Sequence, residues 1–181
     1  MIKSLASYCP EPKIHFKDQE EKEVILLLLR RHLVTNFWWL LLFLALPTVP
    51  FLVFYGGFLP IDFGKLPPTY LHVITWTWLV FDLGFFLINF MDWFFNITLI
   101  TSFRIVDMDY INLLYFRVSE TAFNRVEDVT YEVSGLPQIL FNYGNVSLQT
   151  AGTEERFEVG QVPRPAGVHD LITDLMEASR H

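Results

Sequence analysis

Two long apolar runs between Leu33 and Met91 constrain what this chain can fold into more than any other feature. Phe37 to Leu59 (FWWLLLFLALPTVPFLVFYGGFL) holds 23 residues and no charge. At about 1.5 Å per residue, a helix of that length crosses a hydrocarbon core of roughly 30 Å. Tyr70 to Met91 (YLHVITWTWLVFDLGFFLINFM) is nearly as long and carries one charge, Asp82. The intervening GFLPIDFGKLPPTY is too rich in Gly and Pro to continue a helix. Inside lipid only helices and closed barrels satisfy their own backbone, and neither run alternates as a barrel strand does. The pattern predicts a two-helix transmembrane hairpin with spans 37–59 and 70–91 and a loop at 60–69. A soluble protein with two buried core helices is the competing reading, which runs this long and unbroken disfavour.

Lysine and arginine set the orientation, because acidic residues contribute little to it. Lys3, Lys13, Lys17, Lys22, Arg30 and Arg31 precede the first run, the loop holds only Lys65, and Arg104, Arg117 and Arg125 follow the second. This bias predicts a multi-pass cell-membrane protein with two spans and both termini cytoplasmic. Arg30 and Arg31 stand where their heads can reach lipid phosphate, and Trp38 and Trp39 follow at headgroup depth. Asp92 and Trp93 occupy the corresponding exit. These six are the expected interface anchors. No cleavable signal peptide is expected, since MIKSLASYCPEPK has no membrane-length apolar stretch.

Within the spans, Thr75, Asp82 and Asn89, with Asn96 beyond them, recur every seven residues. Such positions drift only about 20° per step around a helix and form a polar stripe. Asp82 lies mid-span, where a carboxylate costs roughly 2.5–3.5 kcal/mol on insertion scales, so the stripe should face protein rather than lipid. Pro47 and Pro50 leave carbonyls near Phe43 and Leu46 without helical partners. Either the first span merely kinks there, or those carbonyls receive a polar group from the second span. A proton or ion path centred on Asp82 is the functional alternative to a structural stripe.

Outside the spans, residues 1–36 read as a cytoplasmic N-terminal segment. QEEKEVILLLLRRH places acids first and bases last, which suits a helix dipole and predicts a short interfacial helix feeding the first span. Val24 to Leu29 is apolar on every face, so a buried strand is the alternative. Residues 92–181 read as a cytoplasmic domain. Its β-type runs are Asn96–Thr101, Arg104–Asp109, Asn112–Val118, Ala122–Phe123, Val126–Val133, Asn145–Thr150 and Arg156–Val159. Gly167–Ala178 then places Val168, Leu171, Ile172, Leu175 and Met176 at helical spacing. The fold class is membrane α + β: the hairpin, then a small antiparallel sheet or half-open barrel capped by a C-terminal helix over 167–178.

The succession of these pieces resembles the bacterial PH-like domain in its two-span, membrane-anchored form. The matching stretches are EEKEVILLLLRRH, DWFFNITLITSFRIVDMD, RVEDVTYEVSG, LFNYGNVSLQTAG and VPRPAGVHDLI, which together reach from about Phe16 to Met176. The resemblance implies a PH-like fold, two orthogonal β-sheets capped by a C-terminal helix. The chain departs from the family at Thr101–Ser102–Phe103–Arg104, where a polar turn followed by several bases is usual. One base remains in the loop where eukaryotic PH domains gather inositol phosphates.

Composition narrows the function further. The net charge of −7 argues against a nucleic-acid partner. From Asn96 onward six arginines face twelve carboxylates, a balance of −6 that disfavours phosphoinositide binding. Cys9 is the single cysteine, and the histidines are isolated. No HExxH, CxxC, GxSxG, P-loop or GxGxxG occurs, so no catalytic, metal or cofactor site is expected. Adjacent acids such as Glu127–Asp128 point to opposite faces of a strand and make no acid/base pair. The expected function is a non-enzymatic, membrane-anchored interaction module binding an unknown protein partner or its own copies. The alternative is a small transport or proton-handling component centred on Asp82.

Overall fold

The structure is a computed structural model and describes residues 7–12, 19–20, 23–55, 67–112, 115–150 and 157–179. Most of the loop expected at 60–69 lies outside them, as do residues 56–59 of the first run. The chain divides into two compact units, one of Met1–Thr35 with Asp92–His181 and one of Asn36–Met91.

The first unit holds a five-stranded antiparallel sheet in the order β1 (Tyr8–Pro10), β2 (Ile25–Arg30), β3 (Ile97–Thr101), β4 (Arg104–Asn112), β5 (Tyr115–Ala122). A three-stranded sheet follows: β6 (Val126–Glu132), β7 (Tyr143–Thr150) and β8 (Phe157–Pro163). Side chains from both sheets share one core, in which Leu27, Leu29, Ile100 and Ile105 meet Val126, Val129, Val146, Leu148 and Val162. A C-terminal helix, Pro165–Ser179, adds Val168, Ile172 and Met176 to that core. The expected helix over 167–178 is therefore present. Among the described residues, β1, a short helix at Leu136–Phe141 between β6 and β7, and a 3-10 turn at Phe123–Arg125, where a β-type run is expected, have no sequence counterpart.

The short interfacial helix expected in the N-terminal segment is not formed. Ile25–Arg30 is instead β2, an inner strand paired with β1 on one side and β3 on the other. Leu27 and Leu29 enter the main core, while Ile25 and Leu28 join Cys9, Leu99 and Val106 on the sheet's other face. A bulge between Ile25 and Leu27 puts Ile25 and Leu28, three apart, on the same side. A strand buried on both faces reads as a continuous apolar run, which periodicity cannot tell from a helix. The acid-first order has another use: buried Glu23 is held by Arg104 through two hydrogen bonds of 3.0 Å, and Arg104 also pairs with Glu120 at 2.6 Å. Residues 1–36 are thus no separate segment; all but the last belong to the same unit as residues 92–181.

The second unit is helical. The first run breaks at Leu46–Pro47 into α1 (Phe37–Ala45) and α2 (Thr48–Tyr55), and the second forms one long helix, α3 (Pro68–Phe95), whose last turn belongs to the first unit. Leu33–Phe54 and Pro68–Phe95 are both long and apolar enough to cross a membrane. In the elements that follow α4, the short helix Leu136–Phe141, the C-terminal helix is α5.

A fragment beginning at Asp92 lacks the strand between β1 and β3. It should melt without a cooperative transition in far-UV circular dichroism. Joining residues 1–35 to 92–181 through a short flexible linker should restore a single transition, because Arg31 and Asp92 already touch at 2.9 Å.

Candidate functional site

The places where the chain leaves the first unit for the apolar helices form a compact cluster. Arg30, the last residue of β2, pairs in register with Ile97, the first of β3. The Arg31 guanidinium meets the Asp92 carboxylate at 2.9 Å, and Asp92 also accepts from the Asn96 side-chain amide at 2.9 Å. The Trp93 indole N–H donates to the Arg31 carbonyl at 2.9 Å. Arg30 is buried with its guanidinium 4.5 Å from the Phe94 ring centre. His32 stacks on Tyr143 at 5.2 Å, and burial holds its imidazole below the usual histidine range.

These contacts revise the expected anchors. Trp93 is only 6% exposed, so its ring packs inside the unit and meets no surface. Arg30 is likewise buried, and Arg31 and Asp92 pair with each other. In the helical unit Trp38 is exposed, whereas the Trp39 N–H donates to Asn36 at 3.1 Å and its ring meets Phe86 edge-on. Asp92 and Arg104 are not partners, as the β3–β4 hairpin requires: Arg104 stands at the far end of that hairpin beside Glu23 and Glu120.

The polar stripe of α3 resolves into three different situations. Thr75 and Asn89 donate to the carbonyls of Leu71 and Phe85, four residues back, each at 2.8 Å. Asn96 lies beyond the helix and accepts from the Tyr110 backbone N–H in the first unit. Asp82 is different. It is 6% exposed, and its Oδ1 has no hydrogen-bond partner among the described residues. It lines a crevice of about 210 Å3 with Leu46, Trp78, Phe81 and Phe85. The Leu46 carbonyl, which Pro50 denies its usual i+4 donor, accepts the Val49 N–H at 3.1 Å and also receives a polar group from α3. The donor is the Trp78 indole, at 2.8 Å, rather than Asp82. No sequence pattern could have chosen between them, since both lie on the same side of one helix, a turn apart.

A second cavity, of about 230 Å3, opens in the first unit beside Arg31, Thr98, Asp107, Asp109 and Glu158. Burial pushes Asp107 up to about 6 against the pull of the Thr98 hydroxyl, 2.6 Å away; Asp109 adds to the rise and Arg31 opposes it. Among the described residues no group of three His, Cys, Asp or Glu side chains is placed to hold a metal ion.

The chain matches no protein-family model, and a comparison with curated proteins returns no match. Among solved structures it is similar to a crystal structure of a DUF1696 family protein with a pleckstrin-homology domain from Shewanella loihica PV-4. That likeness has 12% identity and a TM-score of 0.38, covering 45% of this chain and 70% of the other. The first unit itself runs β2 to β5 as four consecutive antiparallel strands, then β6 to β8 as three, then a closing helix. Two antiparallel sheets closed by a helix are the arrangement that the PH-like resemblance implies.

Asp107 generates a pH dependence. Between the ordinary 3.8 and about 6, the folded chain holds a proton that the unfolded chain has lost, so stability falls as pH rises through that window. Asp107 alone should therefore add about 1.3 kcal/mol of stability at pH 5 relative to pH 7, read by thermal unfolding, with the buried, neutral His32 working in the opposite direction. Asp107→Asn should flatten that slope.

Proposed function

We propose that this chain is a membrane-anchored, PH-like interaction module, non-enzymatic, whose two apolar helices hold it at the cytoplasmic face. The observation that carries this reading is the junction. The start of the first apolar helix and the end of the second are rooted side by side, through the Arg30–Ile97 register and the Arg31–Asp92 pair. Side-by-side roots suit a hairpin that enters and leaves a bilayer on one side. The lysine and arginine bias supports the cytoplasmic side.

An open strand edge supports the interaction role. β5 ends the five-stranded sheet, and Tyr115, Phe116 and Val118 are exposed along it. Such an edge offers unpaired backbone groups and apolar side chains to a protein partner or a second copy. Phe116→Lys combined with Val118→Lys leaves the core intact. It should cut the protein recovered with the full chain from mild detergent by about tenfold, the equivalent of 1.4 kcal/mol. Unchanged recovery would remove β5 from the interaction.

The unpartnered Oδ1 of Asp82 favours a second reading, a proton-handling component. Two substitutions separate them. As a packing group in the helical unit, Asp82 tolerates Asp82→Asn with little change in assembly or cell phenotype, whereas Asp82→Leu loosens the helices. As a proton carrier it fails at once in Asp82→Asn, which cannot exchange a proton, while assembly stays normal. Assembly by size-exclusion chromatography and growth of cells carrying each variant read the two outcomes.

A further inference from the structure

One helix in the first unit presents its apolar side chains outward. In α4, Leu136, Ile139, Leu140 and Phe141 are 83%, 66%, 77% and 47% exposed. Contiguous apolar exposure of this kind on a folded domain marks an interaction surface. The knob is held out by its backbone. Gly135 precedes it at φ +85° and Asn142 ends it in the left-handed region at φ +52°. The Gln138 side chain turns back to accept from the Ser134 N–H at 2.6 Å. No charged residue occurs from Val133 to Thr150, in a domain that is otherwise acidic.

The knob also has a definite place in the unit. Asn142, at the end of α4, accepts from the Arg164 N–H, and Tyr143, next in the chain, stacks on His32 at 5.2 Å. His32 in turn immediately precedes Leu33, where the first membrane-length helical segment begins. Through Tyr143 the base of α4 therefore stacks on His32, the residue that immediately precedes the apolar helical segment. We infer that α4 is a third membrane contact, a monotopic knob whose leucine, isoleucine and phenylalanine side chains enter the headgroup–acyl boundary. This inference rests on the membrane-anchored reading. Side chains of this type bury roughly 5–10 Å into that boundary, and a six-residue helix is about 9 Å long. Because the knob is uncharged, its insertion needs no anionic lipid and resists salt. A net-acidic domain would otherwise be held off an anionic surface; the knob is where it can settle.

The test uses the full chain in phosphatidylcholine vesicles, with Cys9→Ala and Leu140→Cys carrying an environment-sensitive dye. Asp174→Cys, exposed on α5, is the reference position. At Leu140→Cys the dye emission should shift to the blue and be quenched by acyl-brominated lipid at least about twofold more than at Asp174→Cys, unchanged by raised salt. Water-like emission at Leu140→Cys overturns the inference and leaves α4 as a site for another protein. A blue shift that disappears when copies are diluted to one per vesicle also overturns it, in favour of a second copy as the occupant. Alkaline extraction of the same vesicles reads the anchoring separately. Release of the protein there overturns the membrane-anchored reading itself, whatever the dye reports.

Discussion

Antiparallel pairing of β2 with β3 is the constraint on which the rest of the molecule depends. β2 precedes both apolar helices in the chain and β3 follows them, yet they are neighbours in one sheet. The sheet cannot close unless residues 36–91 leave it and return to the same end. The register does this with Arg30 opposite Ile97, and the Arg31–Asp92 pair and the Trp93 N–H to the Arg31 carbonyl lock the two roots together. Burial supplies most of the stability. Leu27 and Leu29 face one core and Leu28 the other, each worth about 1.5–3 kcal/mol on transfer from water.

The charged groups divide by role. Glu23, Arg104 and Glu120 tie the start of β2 to β4 and β5; with Glu23 fully buried, loss of Arg104 would strand a carboxylate. Burial alone would raise Glu23, but the hydrogen bonds from Arg104, Thr101 and the Glu20 backbone outweigh it and lower its pKa. That contribution is present above the ordinary carboxylate range and is lost as pH falls through it, opposite in sign to Asp107. Arg30 is buried against Phe94, whereas Arg31, half-exposed just before the first apolar helix, is paired with Asp92. Exposed apolar side chains stand apart from these charges, at β5 and at α4.

Much of this architecture was legible from residue order. The two apolar runs, the later strands and the closing helix follow from uninterrupted hydropathy, β-branched content and a 3.6-residue stripe, each a local signal. The loss of helical partners at Pro47 and Pro50 was legible too, because proline removes an N–H wherever it stands. What a local pattern cannot hold is a partner far along the chain. Ile25–Arg30 had no period to declare itself a strand, since burial on both faces erases alternation. Only its pairing with residues 70 positions later decided the matter. In the same way Trp78, rather than Asp82, took the Leu46 carbonyl, and Trp93 and Arg30 turned into the protein although their spacing suited an interface. Sequence determined which segments must avoid water. The tertiary structure decided which of them cover one another, because burial depends on what stands opposite and not on what comes next.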